Sequence, residues 1–202
     1  MLEHHSLYAA AKVLAGILGV PWTELQATYR ALQGETRAKI CWLPKSAGRN
    51  VYYAHPSYID RLLVAHVSST NANSARDTVE WMVQLSLNGK KHDLAEKPAA
   101  NIPSPIEKVF HRYLVDAKEA AKLETVEIHP DAHRIIFNVG RSYTWLPEPD
   151  ANDLPLAPVI TKRPVISGDV FRALAEKISW GFDAFGGPTL KKVQQGAVGD
   201  DE

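Results

Sequence analysis

Three polar residues, Thr23, Gln26 and Arg30, recur at intervals of three and four positions. Side chains at these intervals lie on one face of an α-helix. Hydroxyl, amide and guanidinium groups can donate hydrogen bonds to base edges in the major groove of a DNA duplex. This spacing therefore permits recognition of bases by a short helix.

Basic residues follow this face closely along the chain. Positions 28–50 hold five of them against one acid, Glu35, although the whole chain has 23 basic and 23 acidic residues. A local excess of one sign attracts a polyanion whatever the total charge. Arg30 belongs to the helix face, and we expect the other four residues to bind phosphates: Arg37, Lys39, Lys45 and Arg49.

A β-hairpin is predicted to present two of these cations. In AKICWLPKSAGRNVYYAH, apolar residues alternate on both sides of a turn that contains Gly48. Ser46 and Asn50 would add neutral donors near the tip. Tyr52 would add an aromatic ring that could stack on bases.

Four helices are predicted to surround this hairpin. Ser6 is a suitable N-cap for a helix over 7–18, and Gly19-Val20-Pro21 ends it. A second helix runs from Trp22 or Thr23 to about Leu32. Apolar periodicity predicts two further helices, over 58–67 and about 75–87.

The remainder of the chain predicts a second unit of mixed structure. Ser104 and Pro105 begin a long helix to about Leu123, and three short alternating segments then predict a β-meander between 126 and 145. A short strand near 159–166 and a last helix over 169–178 follow. We therefore predict an α+β protein. Its N-terminal part, 1–90, is a winged-helix-like helical domain, and a linker follows at 91–103. A long helix, a small antiparallel meander and a C-terminal helix then occupy 104–186, and a flexible tail occupies 187–202.

The order of helices and hairpin resembles the winged helix-turn-helix domains of bacterial and phage-encoded transcriptional regulators. The resemblance covers residues 6–87 and rests on LYAAAKVLAGILGVPWTELQATYRAL, KSAGRNVYY and PSYIDRLLVAHV. It implies a protein that binds double-stranded DNA, commonly as a homodimer. The C-terminal part would then serve dimerisation, effector binding or partner binding.

A protein-interaction module, such as an antirepressor or an inhibitor of a protein partner, is the alternative that the same fold allows. Trp180, Phe182 and Phe185 in SWGFDAFGG form an apolar group that we expect to contribute to an interface. The single cysteine, Cys41, cannot form an intramolecular disulfide, and we expect a cytoplasmic protein without a membrane span.

No catalytic site, cofactor or metal is predicted. His129 and His133 have a spacing that could bind zinc on a helix, but Pro130 places them around a turn. Cys41 lies in the apolar run ICWL, where a small core residue is the simpler interpretation. The chain contains neither a phosphate-binding glycine motif nor a G-x-S-x-G motif.

Overall fold

The computed structural model describes residues 4–36, 39–46, 51–71, 74–89, 103–146, 163–181 and 190–191. Its N-terminal half contains four helices: α1 (Leu7–Leu18), α2 (Trp22–Leu32), α3 (Pro56–Ser68) and α4 (Ser74–Met82). The predicted bounds of the first helix are confirmed. The hydroxyl of Ser6 accepts a hydrogen bond from Ala9 N at 3.1 Å, and Gly19 ends the helix in the left-handed conformation with φ 68°.

Helix α3 occupies the centre of the molecule. Every residue from Pro56 to Ala65 is buried. The helix begins with His55, whose Nδ1 accepts a hydrogen bond from Ser57 N at 3.2 Å, and with Pro56 at the first position. Because all sides of this helix are covered, its polar residues must find partners inside the protein.

Helix α4 is shorter than predicted. It ends at Met82, and Ser86–Leu87 instead form strand β2, which pairs with the β-sheet of the C-terminal half. Apolar residues continue through Leu87 at spacings that suit a helix as well as a strand. Periodicity alone therefore could not locate this boundary.

The predicted long helix at 105–123 is divided in two. Helix α5 (Pro105–Val115) ends before Asp116, and α6 (Ala117–Ala120) follows. Asp116 is extended, with φ −119° and ψ 106°, and its carboxylate accepts hydrogen bonds from Lys118 N and Glu119 N. A short acid in this role caps a new helix rather than continuing the old one.

The predicted antiparallel meander is confirmed as strands β3 (Thr125–His129), β4 (Arg134–Asn138) and β5 (Ser142–Leu146). Strand β6 (Val165–Ser167) extends the sheet beside β3, and β2 extends it beside β5. The five-stranded order is β2-β5-β4-β3-β6. Alternate residues of β3 and β4, such as Val126 and Phe137, are buried, so one face of the sheet covers the core.

Helix α7 (Gly168–Lys177) follows β6 directly and is capped by Ser167, as predicted. Helix α5 packs between this helix and the sheet. The centre of the Phe110 ring on α5 lies 5.0 Å from that of Phe137 on β4 and 6.0 Å from that of Phe171 on α7. These helices and the sheet confirm the α+β fold class. None of the described helices combines the length and the apolar character needed to cross a bilayer.

The two halves share one continuous core. Helix α3 packs against α5, and α1 packs against α7. Buried apolar residues from Leu7 to Ile178 belong to the same cluster. The predicted linker at 91–103 and the tail at 187–202 lie almost wholly outside the described residues, so the division into two domains stays a prediction.

The predicted hairpin is corrected by the structure. Residues 39–46 form no strand, and strand β1 (Val51–Tyr52) pairs antiparallel with strand β7 (Leu190–Lys191). The reason is that the first half of the predicted hairpin is held elsewhere. Leu43 N donates to Leu32 O at 3.0 Å, and Trp42 O accepts a hydrogen bond from Arg61 at 3.1 Å.

Candidate nucleic-acid interface and a buried polar cluster

Helix α2 presents the predicted base-contacting residues on one side. Thr23 and Arg30 are exposed and Gln26 is half-buried. The opposite side of the helix is buried and consists of Leu25, Thr28, Tyr29 and Leu32. The structure therefore leaves the face formed by Thr23, Gln26 and Arg30 accessible to a ligand.

The single acid of α2 lies away from this face. Glu24 Oε1 is 3.8 Å from His66 Nε2 on α3, and Nδ1 of the same imidazole is 3.3 Å from Thr28 Oγ1. Burial lowers the pKa of His66, and the nearby Glu24 opposes that shift. Because Glu24 is directed towards α3, no carboxylate of α2 neutralises Arg30.

The segment after α2 is fixed against the end of that helix. Gln33 Nε2 donates to Pro44 O at 2.8 Å, beside the backbone bond from Leu43 to Leu32. Lys45 and Ser46 follow immediately and are exposed. This connection brings Lys45, predicted to bind phosphates, and Ser46, predicted as a neutral donor, to the end of α2 that carries Arg30.

Lys39 lies between α2 and this anchored segment. Lys39 N donates to Thr36 O at 2.9 Å, and Thr36 N donates to Ile40 O at 2.9 Å. Lys39 has a φ of 59°, in a region that residues other than glycine rarely adopt. Its side chain is exposed, and among the described residues Arg30, Lys39 and Lys45 form no ion pair.

The remaining predicted contacts have different outcomes. Arg37, Arg49 and Asn50 lie outside the described residues. Tyr52 is half-buried and packs against the core, and its contact with DNA stays a prediction.

The predicted C-terminal interface is described only at Trp180. This residue is half-buried, packs against the core, and has an Nε1 without a hydrogen-bond partner among the described residues. The next residue, Gly181, donates to Ala54 O at 3.0 Å and lies against Tyr53. Phe182 and Phe185 lie outside the described residues, so the interface stays a prediction.

A buried polar cluster at α3 and α5 is a feature that the sequence analysis missed. Arg61 and Glu107 are 1% and 0% exposed, and Arg61 Nε donates to Glu107 Oε1 at 2.6 Å. Arg61 also donates to Trp42 O, and its guanidinium lies 5.3 Å from the centre of the Trp42 ring. This arginine therefore joins α3, α5 and the segment before Lys45.

Asp60 is the most unusual member of the cluster. It is fully buried, and among the described residues no side chain donates a hydrogen bond to either carboxyl oxygen. Burial raises the pKa of Asp60 well above its ordinary value, the nearby Glu107 raises it further, and Arg61 opposes both effects. Removal of a carboxylate from water favours its neutral form.

Ser57 and His111 lie beside Asp60. Ser57 Oγ is 2.8 Å from His111 Nε2, and Asp60 Oδ2 is 3.8 Å from the same nitrogen. Burial is the largest cause that lowers the pKa of His111 to about 3, with contributions from the nearby His55, Arg61 and Lys108. A serine hydrolase places the carboxylate on the other imidazole nitrogen, Nδ1, so this arrangement differs from a catalytic triad.

One signal for this cluster was available in the sequence. Ser104 and Glu107 have the spacing of a capping box, and the structure has both of its hydrogen bonds. No feature of the sequence indicated that Asp60 and Arg61 are buried, because two adjacent charged residues, as in PSYIDRLL, usually lie on the exposed side of a helix. Their burial follows from packing of the C-terminal half against α3.

The two histidines of the predicted turn have separate partners. His129 Nδ1 is 3.2 Å from Arg134 Nη2, and His129 Nε2 is 3.5 Å from Glu127. His133 instead stacks on Trp81, with ring centres 5.3 Å apart and planes inclined by 11°. Within the described part of the chain, no three histidine, cysteine or acidic residues are placed to hold a metal ion.

Comparisons with known proteins add no functional information. No protein-family model, no curated protein and no solved structure matches the chain.

Proposed function

We propose that the protein is a DNA-binding transcriptional or phage-type regulator that contacts duplex DNA through α2 and the basic segment after it. The observation that carries this proposal is that Thr23 and Arg30 on α2 are exposed, and that Lys45, held near the end of the same helix, is exposed as well. Thr23, Gln26 and Arg30 would contact base edges, while Lys39, Lys45 and Ser46 would bind phosphates.

The contact differs in form from the winged hairpin that the sequence predicted. The basic segment is anchored to the end of α2 by Gln33 and Leu43, so it would follow the helix along one DNA strand. Homodimerisation through the region of Trp180, a protein partner for the C-terminal part and a cytoplasmic location belong to the same proposal. It requires neither a cofactor nor a catalytic residue.

Fluorescence anisotropy with a labelled mixed-sequence duplex tests this function. Affinity should fall steeply as salt rises, because each phosphate contact releases bound counterions. Lys45→Ala should weaken binding to all duplexes and reduce the slope of log K against log salt by about 1. An absence of binding at low salt would contradict the proposal and favour the alternative, a protein-interaction module.

A further inference from the structure

An aromatic cluster that carries one cation lies where α1 meets α2. Tyr8 is 44% exposed, and its ring is 5.0 Å from Trp22 and 6.4 Å from Tyr29, with near-perpendicular planes in both pairs. Lys12 Nζ lies 4.8 Å from the centre of the Tyr8 ring and 5.9 Å from that of Trp22. Tyr8, Lys12 and Trp22 are called the aromatic platform below.

The aromatic rings beneath the platform hold Tyr8 in place. Tyr29 is 6% exposed, and burial, together with a smaller contribution from the nearby Tyr8, raises its pKa to about 12. Tyr29 and Trp22 are also in contact, with ring centres 6.1 Å apart. Tyr8 therefore rests on buried or half-buried aromatic rings, which hold its ring in place. The flexible Lys12 side chain, whose Nζ lies over this ring, would move aside to admit a flat ligand.

Charge indicates the kind of ligand. Lys12 is the only charged residue of α1, and the only acid of α2, Glu24, is directed towards His66. The exposed surface of these two helices at the platform is therefore cationic and aromatic. An anion that carries a flat apolar ring satisfies both features, and a nucleotide has both.

The platform is continuous with the proposed DNA-contacting face. Gln26 lies one helical turn from both Trp22 and Tyr29, and Arg30 lies one turn beyond Gln26. A nucleic acid on that face could reach Tyr8 and Lys12 by way of Trp22, which contacts both.

We propose that the aromatic platform stacks an unpaired nucleobase on Tyr8 while Lys12 binds its phosphate. This inference rests on the proposed function, since α2 would hold the adjoining duplex. The protein would then prefer a duplex that carries a single-stranded extension, such as a processed end or an opened site, over a blunt duplex.

The test compares three labelled DNAs. Two share one 20-base-pair duplex, which is blunt in the first and carries a five-nucleotide single-stranded extension in the second. The third is the extended strand without its complement. Stacking of one base on an aromatic side chain should raise affinity for the extended DNA about fivefold or more over the blunt duplex. Tyr8→Ala should abolish that difference, and Tyr8→Phe should preserve it. Thermal unfolding of both variants confirms that they are folded.

The outcomes separate this inference from the proposed function. Equal binding of blunt and extended DNA, or an unchanged preference in Tyr8→Ala, would overturn the platform and leave the duplex proposal standing. Binding of the extended strand without binding of the blunt duplex, lost in Tyr8→Ala, would support the platform and contradict the duplex proposal. No binding of any probe would overturn both.

Discussion

Arg61 and Glu107 form a fully buried ion pair in which Arg61 Nε donates to Glu107 Oε1 at 2.6 Å. The pair connects the central helix α3 with α5 and, through Trp42 O, with the segment that leads to Lys45. The position of the proposed DNA-contacting segment therefore depends on a charge interaction in the core.

Loss of one partner from this pair should destabilise the fold strongly. Glu107→Gln keeps the shape of the side chain and the cap on Ser104 but leaves Arg61 charged and buried. We expect a loss of about 3–5 kcal/mol in the free energy of unfolding, measured with urea. The double variant Arg61→Met/Glu107→Leu should recover part of this loss.

The matched control is Arg112→Ala, since Arg112 pairs with Glu119 at the surface and its side chain is 61% exposed. That change should alter stability much less. A similar loss in Glu107→Gln and Arg112→Ala would show that the buried pair has no special role.

Asp60 should make stability decrease as pH rises. Its pKa is raised in the folded protein, chiefly by burial, so the folded state binds the proton more tightly than the unfolded state. The stabilisation contributed by Asp60 is fully present below pH 3.8, the ordinary pKa of an aspartate, and declines as pH rises above that value. Asp60→Asn removes the titration, so the variant should gain stability relative to wild type as pH rises from about 4.

Urea unfolding of wild type and Asp60→Asn at several pH values checks this expectation. A stability difference that does not change with pH would contradict it. So would a difference that moves in favour of wild type as pH rises.

His111 should act in the opposite direction. Its pKa is lowered from 6.5 to about 3, mainly by burial, so the unfolded state takes up a proton first as pH falls. The stabilisation contributed by a neutral His111 is fully present above pH 6.5 and is lost as pH falls from 6.5 to about 3. NMR of the imidazole, assigned with His111→Gln, should show a neutral ring at pH 5, whereas a ring that titrates near 6.5 would exclude this environment.

Two glycines should respond oppositely to replacement by alanine. A Cβ on Gly168 would overlap the backbone oxygen of Leu123, which lies between α6 and β3. Gly16 has nothing within 4 Å of the same position and lies inside α1. Gly168→Ala should cost about 1–3 kcal/mol or more, whereas Gly16→Ala should add about 0.5–1 kcal/mol.

Thermal unfolding of the two variants provides the comparison. Equal effects would contradict the close approach of Gly168 to Leu123. The exposed Gly16 serves as the control because the same atoms are added there without a contact.

Local signals in the sequence predicted the elements that depend on neighbouring residues. Ser6 and Gly19 marked the ends of α1, and alternating apolar residues marked β3 and β4. Partners distant in the chain were not predictable in this way. Strand β1 pairs with residues near position 190, and a single sequence contains no signal for that pairing.

The candidate site shows the same division. The exposed face of α2 followed from helical spacing, because the buried residues between Leu25 and Leu32 fix its orientation. The buried group around Asp60 depends on how α5 covers α3, which periodicity does not describe. The aromatic platform likewise depends on the meeting of two helices, although Tyr8 and Trp22 were each visible in the sequence.

The most direct test of the central claim compares two charge reversals in a DNA-binding assay. Arg30→Glu alters the proposed face of α2, and Arg172→Glu makes the same change in charge at an exposed position on α7. At fixed salt, Arg30→Glu should weaken duplex binding about tenfold or more. Arg172→Glu should change it by less than about twofold, because Arg172 lies on α7, outside the proposed DNA-contacting face. Equal losses in the two variants, or no loss in Arg30→Glu, would contradict a DNA-contacting role for α2.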